Sequence, residues 1–230
     1  MLATTYAIYN EKAPINFLTS FVTNSKNPEA ILEFAQSVDM APIAKLTEAI
    51  IEINNPNYIY FFIRDIDHTS PVLIDALINT KDAKRIYDAA IAIKNKYEQE
   101  HQFLTANQIT KLEKGIIETN NAEYIYLFAK DITNTSSLEN AIIKTENTNF
   151  IKAFSLNVKG ADKTRLLMAI ERINILKESV NSQMEMLFNA VFNGNTDKIS
   201  AASDIYRRLF LDETLDGNLV ENTKRKVLKP

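Results

Sequence analysis

The same pattern of residues occurs twice in the chain, as KLTEAIIEINNPNYIYFFIRDI at residues 45–66 and as KLEKGIIETNNAEYIYLFAKDI at residues 111–132. The two stretches are identical at 13 of 22 aligned positions. Identity at this level within one chain indicates an internal repeat, which is typical of proteins built by stacking one structural unit.

Weaker copies extend the repeat in both directions. They occupy residues 73–93 and 138–158, and NPEAILEFAQSV at residues 27–38 matches the second half of the pattern. The unit is about 27 residues long and recurs at least five times between about residues 21 and 165. One interval is longer, since Leu112 follows Leu73 by 39 residues, so we place an insertion near residues 94–106.

Each copy reads as two short helices. In residues 45–66, apolar residues recur at i, i+4 and i+5 in the first half and at i, i+3, i+4 and i+7 in the second half, which is the spacing of amphipathic helices. The predicted core residues of this copy are Leu46, Ile50, Ile51, Ile59, Phe62, Ile63 and Ile66.

An asparagine or aspartate stands between the two predicted helices of every copy. Its side-chain oxygen suits the cap of the second helix, where backbone N–H groups lack partners. The predicted N-caps are Asn27, Asn55, Asp82, Asn121 and Asn147.

A helix pair of this length cannot bury its apolar stripe alone, so the repeats are expected to stack into one continuous core. The predicted fold is all-α, an α-solenoid or superhelical array. We assign residues 1–20 to an N-terminal cap, residues 21–165 to the repeats and residues 166–211 to a C-terminal helical cap. Residues 212–230 are expected to form a polar, mobile tail.

The amino-acid composition excludes several kinds of functional site. The chain has no cysteine, which excludes disulfides, thiolate catalysis and cysteine-ligated metals. It has only two histidines, and His101 lies in the insertion. His68 lies in a predicted loop beside Asp65 and Asp67, where a metal site or a base–carboxylate pair is one interpretation, but a loop histidine among capping polar residues is favoured. No catalytic or phosphate-binding motif is present, so we predict no enzyme activity, cofactor or metal.

The second helices carry tyrosines and basic residues at equivalent positions beside the core stripe. We select these as the candidate partner-binding residues: Tyr60, Arg64, Tyr87, Tyr126, Lys130 and Lys152. Two interpretations remain open, because the tyrosines either form a binding ridge or fill the space between neighbouring repeats.

The unit L-x-x-A-I-I-x-T-x-N-A-x-Y-I-Y-x-F-A-x-D-I, best matched at residues 111–132, resembles short tandem helical repeats of uncharacterised bacterial and bacteriophage proteins. The resemblance implies a helical array and a phage or mobile-element source. It carries no catalytic residues to transfer.

A repeated scaffold without catalytic groups favours a protein-binding module, such as an adaptor or an inhibitor that a phage directs at a host protein. Nucleic-acid binding and self-assembly remain alternatives, although a net charge of −3 disfavours the former. No long apolar run or targeting segment is visible, so we expect no membrane partner and a soluble, cytoplasmic protein.

Overall fold

A computed structural model describes residues 2–10, 12–99 and 106–192 of the chain. Every regular element within these ranges is an α-helix, which confirms the all-α class. The twelve helices of the described residues are α1 (Leu2–Tyr9), α2 (Ile15–Asn24), α3 (Pro28–Ser37), α4 (Ile43–Ile53), α5 (Pro56–Asp65), α6 (Pro71–Asn79), α7 (Ala83–Gln99), α8 (Ala106–Glu118), α9 (Ala122–Asp131), α10 (Ser136–Lys144), α11 (Thr148–Asn157) and α12 (Lys163–Phe192). The chain divides into two units, Met1–Ile170 and Glu171–Pro230, and the packing described below is that of the first.

Two kinds of helix alternate in the first unit. We call the even-numbered helices α2 to α10 first helices and the odd-numbered helices α3 to α11 second helices. Each first helix packs against the second helix that follows it and against the next first helix. Each second helix packs against the next second helix, and α1 packs against α2 and α3. Successive hairpins therefore contact one another in chain order.

Equivalent positions of the repeat supply the core. A leucine recurs in the first helices and at the start of α12, and it is buried each time, as Leu18, Leu46, Leu73, Leu112, Leu138 and Leu166. The second helices contribute fully buried isoleucines, namely Ile31, Ile59, Ile86, Ile125 and Ile151. Three positions later come the buried residues Phe34, Phe62, Ala89, Phe128 and Phe154. Burying each large side chain contributes about 1.5–3 kcal/mol, so the shared core stabilises all the hairpins together.

Five of the seven core residues predicted for residues 45–66 are buried, whereas Ile51 and Ile66 are only half-buried. The equivalent of Ile51 in α6 is Ile78, which shows why. A Cβ atom added to Gly115 of α8 would lie 2.7 Å from Cγ1 of Ile78. This position therefore serves the contact between successive first helices rather than the central core.

The predicted N-caps are confirmed at all five second helices. Asn27 and Asn121 each accept two backbone N–H hydrogen bonds from the first turn, while Asn55, Asp82 and Asn147 each accept one. These side chains satisfy donors that the helix leaves without partners, which fixes where each second helix begins.

A hydroxyl group reinforces four of these five turns. The residue two positions before the cap carries this hydroxyl group. The hydroxyl donates a hydrogen bond to a carbonyl in the last turn of the first helix and accepts one from the backbone N–H of the cap residue. In the turn after α8, for example, Thr119 Oγ1 donates to the Ile116 carbonyl at 2.7 Å and accepts from Asn121 N at 3.3 Å. The hydroxyl residues are Ser25, Thr80, Thr119 and Thr145, and the turn after α4 has Ile53 instead.

Two predicted boundaries fall inside helices. The boundary after residue 20 lies within α2, which buries Leu18 at the position equivalent to Leu46. The boundary after residue 165 lies within α12. That element is one helix of 30 residues.

The remaining predicted segments are described only in part. Residues 94–99 of the predicted insertion belong to α7, because the helix continues past the end of the repeat pattern. Residues 100–105 lie outside the described residues, as do the part of the C-terminal cap beyond residue 192 and the predicted tail.

Candidate interaction surface

The six candidate residues lie on four successive second helices. Tyr60 and Arg64 belong to α5, Tyr87 to α7, Tyr126 and Lys130 to α9, and Lys152 to α11. The three tyrosines are half-buried, whereas the three basic residues are exposed. The surface thus combines partly covered rings with cations in solvent.

Tyr60 joins α5 to α7 through a stack of cations and rings. The Arg64 guanidinium carbon lies 5.5 Å from the centre of the Tyr60 ring and 4.9 Å from the centre of the Phe61 ring. Arg85 of α7 approaches Tyr60 from the neighbouring helix, at 5.3 Å. Cations at these distances are attracted to ring faces, so Tyr60 interacts with one cation of its own helix and with one of α7.

Arg64 is also paired with the aspartate that follows it. Its Nε and Nη2 atoms donate to the two carboxylate oxygens of Asp65, at 2.6 and 2.7 Å. These hydrogen bonds raise the pKa of Arg64 above its usual range. Asp65 accepts a further bond, at 3.2 Å, from Gln36 Nε2 of α3, so this exposed charge is largely matched within the protein.

Tyr87 joins α7 to α9. Its hydroxyl donates to Asp131 Oδ2 at 2.8 Å, and its ring centre lies 5.9 Å from that of Tyr124. Burial, together with the bond to Asp131, raises the pKa of Tyr87 to about 12. Lys94 of α7 donates to the backbone carbonyl of Asp131 at 2.6 Å, which ties the same two helices together again.

Tyr126 continues the pattern into α11, with its ring centre 6.2 Å from that of Phe150. Lys130 Nζ lies 3.9 Å from Asp131 Oδ1, a much looser pairing than that of Arg64. Lys152 is exposed on α11.

Each candidate tyrosine therefore contacts the second helix that follows it. Of the two interpretations of the tyrosines, packing between neighbouring repeats accounts for these contacts directly. The six residues do not converge on one pocket. They form a strip along the second helices α5 to α11, in which each tyrosine contacts the next second helix.

Two residues of this strip escaped the selection from sequence. Asp65 and Asp131 occupy the same repeat position, 66 residues apart, and each binds a side chain of the preceding second helix. The sequence indicates their shared role only through their identical position in the two best copies of the repeat.

A second exposed feature lies on α2. Phe17 and Phe21 are 68% and 64% exposed, although Leu18 and Val22 on the same helix are buried. The N-terminal part of the series therefore presents two aromatic rings one helical turn apart.

The other chemical candidates fit structural roles. His68 is half-buried in the loop between α5 and α6, where Asp67 accepts hydrogen bonds from the backbone and the hydroxyl of Thr69. Among the described residues, no group of three or more histidine, cysteine, aspartate or glutamate side chains is placed to hold a metal ion. His101 lies outside the described residues.

Within the described part of the chain, none of the helices combines the length and the apolar character needed to cross a bilayer. No family model matches the chain, and comparisons with curated proteins and with solved structures also found no significant match.

Proposed function

We propose that the chain is a non-enzymatic protein-binding module of the α-solenoid type, an adaptor or inhibitor that acts in the cytoplasm. A phage-encoded protein directed at a host protein is one concrete form of this proposal. The observation that carries it is the unbroken contact of each second helix with the next, because a continuous series of helices offers one extended surface to a partner.

The arrangement of the second-helix strip supports the proposal. Tyr60, Tyr87 and Tyr126 are each fixed by a neighbouring helix, so binding would not have to order them. Pre-ordered aromatic side chains lower the entropic cost of association and are enriched among the residues that dominate protein interfaces.

The pairing of the cations disfavours the nucleic-acid alternative. Arg85 donates to Asn57 and pairs with Asp88 at 2.9 Å, and Arg64 is bound to Asp65. Affinity for a phosphate backbone depends on basic groups that are available to displace counterions. Because both arginines are paired within the protein, they are less available to bind phosphate groups.

Affinity capture from the cells that make the protein, with mass spectrometry, tests the proposal. The Lys130→Glu/Lys152→Glu variant reverses two exposed charges on second helices. The Lys114→Glu/Lys144→Glu variant makes the same change on first helices of the same two hairpins and is the matched control. We expect the wild type and the control variant to recover the same partner protein, and the second-helix variant to lose it. Binding of that partner is then confirmed with purified components.

Equal recovery of the partner protein with both variants would contradict a role for the second-helix strip in binding. Binding of DNA or RNA in gel shifts at low salt, weakening steeply as salt is added, would favour the nucleic-acid alternative instead.

A further inference from the structure

The flank of a first helix that faces the preceding first helix is identified by its contacts. Lys111 Nζ of α8 lies 2.8 Å from Asp75 Oδ1 of α6, and Arg165 of α12 donates a hydrogen bond to Asn140 of α10 in the equivalent way. Gly115 of α8 also faces α6. The upstream flank therefore consists of the residue just before the core leucine and the residue three positions after that leucine.

The opposite flank faces the next first helix. Glu113 of α8 accepts a hydrogen bond at 2.6 Å from the hydroxyl of Thr135, which caps α10. Glu139 of α10 accepts one at 3.1 Å from the backbone N–H of Asp162, just before α12. The downstream flank therefore consists of the two residues that follow the core leucine, together with the residue five positions after it, since Ile78 of α6 is the side chain that faces Gly115.

The upstream flank changes character in α2, where it consists of Phe17 and Phe21, 68% and 64% exposed. In the later helices the first of these positions is mostly polar, and the second is always small. The corresponding pairs are Lys45 and Ala49, Val72 and Ala76, Lys111 and Gly115, Ser137 and Ala141, and Arg165 and Ala169.

The downstream flank changes in the same direction in α12. Its first two residues are Leu167 and Met168, 54% and 64% exposed, where α10 has Glu139 and Asn140, while the third position changes from Ile143 in α10 to Glu171. Lys111 and Asp75 pair across the contact between α6 and α8. Phe17 occupies the position of Lys111 at the start of the series, and Met168 occupies the position of Asp75 at its end. A thioether and an aromatic ring attract each other favourably, so Phe17 and Met168 match each other in chemistry as well as in position.

We propose that copies of this chain associate head to tail, with the Phe17 and Phe21 flank of α2 in one copy packed against the Leu167 and Met168 flank of α12 in the next. The contact continues the packing of first helices across the junction between copies. Because Phe21 replaces alanine or glycine, the two helices at this junction lie farther apart than α6 and α8. Each copy offers one flank of each kind, so the interface is heterologous and leads to chains or rings.

This inference rests on the helix series of the proposed function but not on a foreign partner. Sedimentation velocity of the full chain over a range of concentrations tests it. We expect the wild-type mass to rise with concentration, and both Phe17→Glu/Phe21→Glu and Leu167→Glu/Met168→Glu to remain at the mass of one chain. Mixing the two variants should restore one intact interface and give a species of twice that mass.

Val72→Glu alters an exposed apolar residue on an internal first helix and should assemble as the wild type. Circular dichroism checks that each variant folds. A wild type that stays monomeric at the highest accessible concentration overturns the inference. A mixture that forms no heterodimer, while the Leu167→Glu/Met168→Glu chain alone self-associates, overturns it too, because that pattern indicates a two-fold contact between α2 flanks. The Lys130→Glu/Lys152→Glu chain should still assemble, so loss of a foreign partner and loss of assembly are separate results.

Discussion

The hairpins α4–α5 and α8–α9 are the two most similar in sequence, yet the aspartate that ends each second helix has different partners. Asp65 is held by Arg64 at 2.6 Å and by Gln36 of α3. Asp131 is instead held by the Tyr87 hydroxyl of α7, and the neighbouring Lys130 stays 3.9 Å away. The repeat thus determines the helices and their caps, while the contacts of the aspartate depend on the basic residue beside it and on the preceding second helix.

The chemistry of the basic residue adds to this difference. The planar guanidinium of Arg64 engages both carboxylate oxygens, whereas the single ammonium of Lys130 cannot make that paired contact. The carboxylate of Asp131 is consequently left for the tyrosine of the neighbouring helix.

The largest effect is expected where the two hairpins are the same. Phe62 and Phe128 are fully buried at equivalent positions of the core. Replacing either with alanine should lower the free energy of unfolding by about 3–5 kcal/mol, because it removes buried ring surface and leaves a cavity. Urea unfolding followed by circular dichroism measures both losses.

Leu127→Ala is the companion substitution, since Leu127 precedes Phe128 but is half-buried, and its cost should be clearly smaller. A marked inequality between Phe62→Ala and Phe128→Ala would mean that the two hairpins do not share equivalent core positions.

A smaller effect should separate the two aspartates. Asp131→Ala removes the acceptor of the half-buried Tyr87 hydroxyl and should cost about 1–3 kcal/mol. Asp65→Ala leaves the Arg64 side chain, which is 46% exposed, to be solvated by water, and should cost about 0–1 kcal/mol. The same urea experiment compares them, and a larger loss for Asp65→Ala would reverse the proposed order.

The titration of Tyr87 sharpens this contrast. Its pKa is raised from 10.0 to about 12 by burial and by Asp131, so the folded state favours the neutral phenol. The corresponding stability is present below pH 10 and is lost between pH 10 and about 12, where the unfolded chain releases the proton first. Absorbance of phenolate should show one tyrosine titrating near pH 12, and Asp131→Asn should lower that value.

The repeat pattern predicts what depends on one copy alone. Asn55 and Asn121 are recognisable as caps, and Ile59 and Ile125 as core, because local hydrogen bonding and apolar spacing suffice. The bond from Tyr87 to Asp131 is beyond such reasoning, since it joins copies separated by the insertion.

The start of the helix series is concealed for a related reason. In α2, Phe17 and Phe21 replace the polar and small residues of the later first helices, so this helix matches the repeat only at its core positions. A pattern read from whole copies therefore does not include the buried Leu18, whereas one read from core leucines alone would include it.

The smallest effect concerns the residue before each N-cap, which adopts a positive φ in all five turns that lead into second helices. The hairpins α4–α5 and α8–α9 place Asn54 and Asn120 there, whereas Lys81 occupies the position before α7 with φ 56°. Asparagine tolerates the left-handed conformation better than residues with long side chains do. Lys81→Gly should therefore raise the free energy of unfolding by about 0.5–1 kcal/mol, and Asn120→Gly should change it by only a few tenths. If urea unfolding shows equal changes for the two, backbone strain does not distinguish these turns, and the asparagines of the paired hairpins serve another purpose.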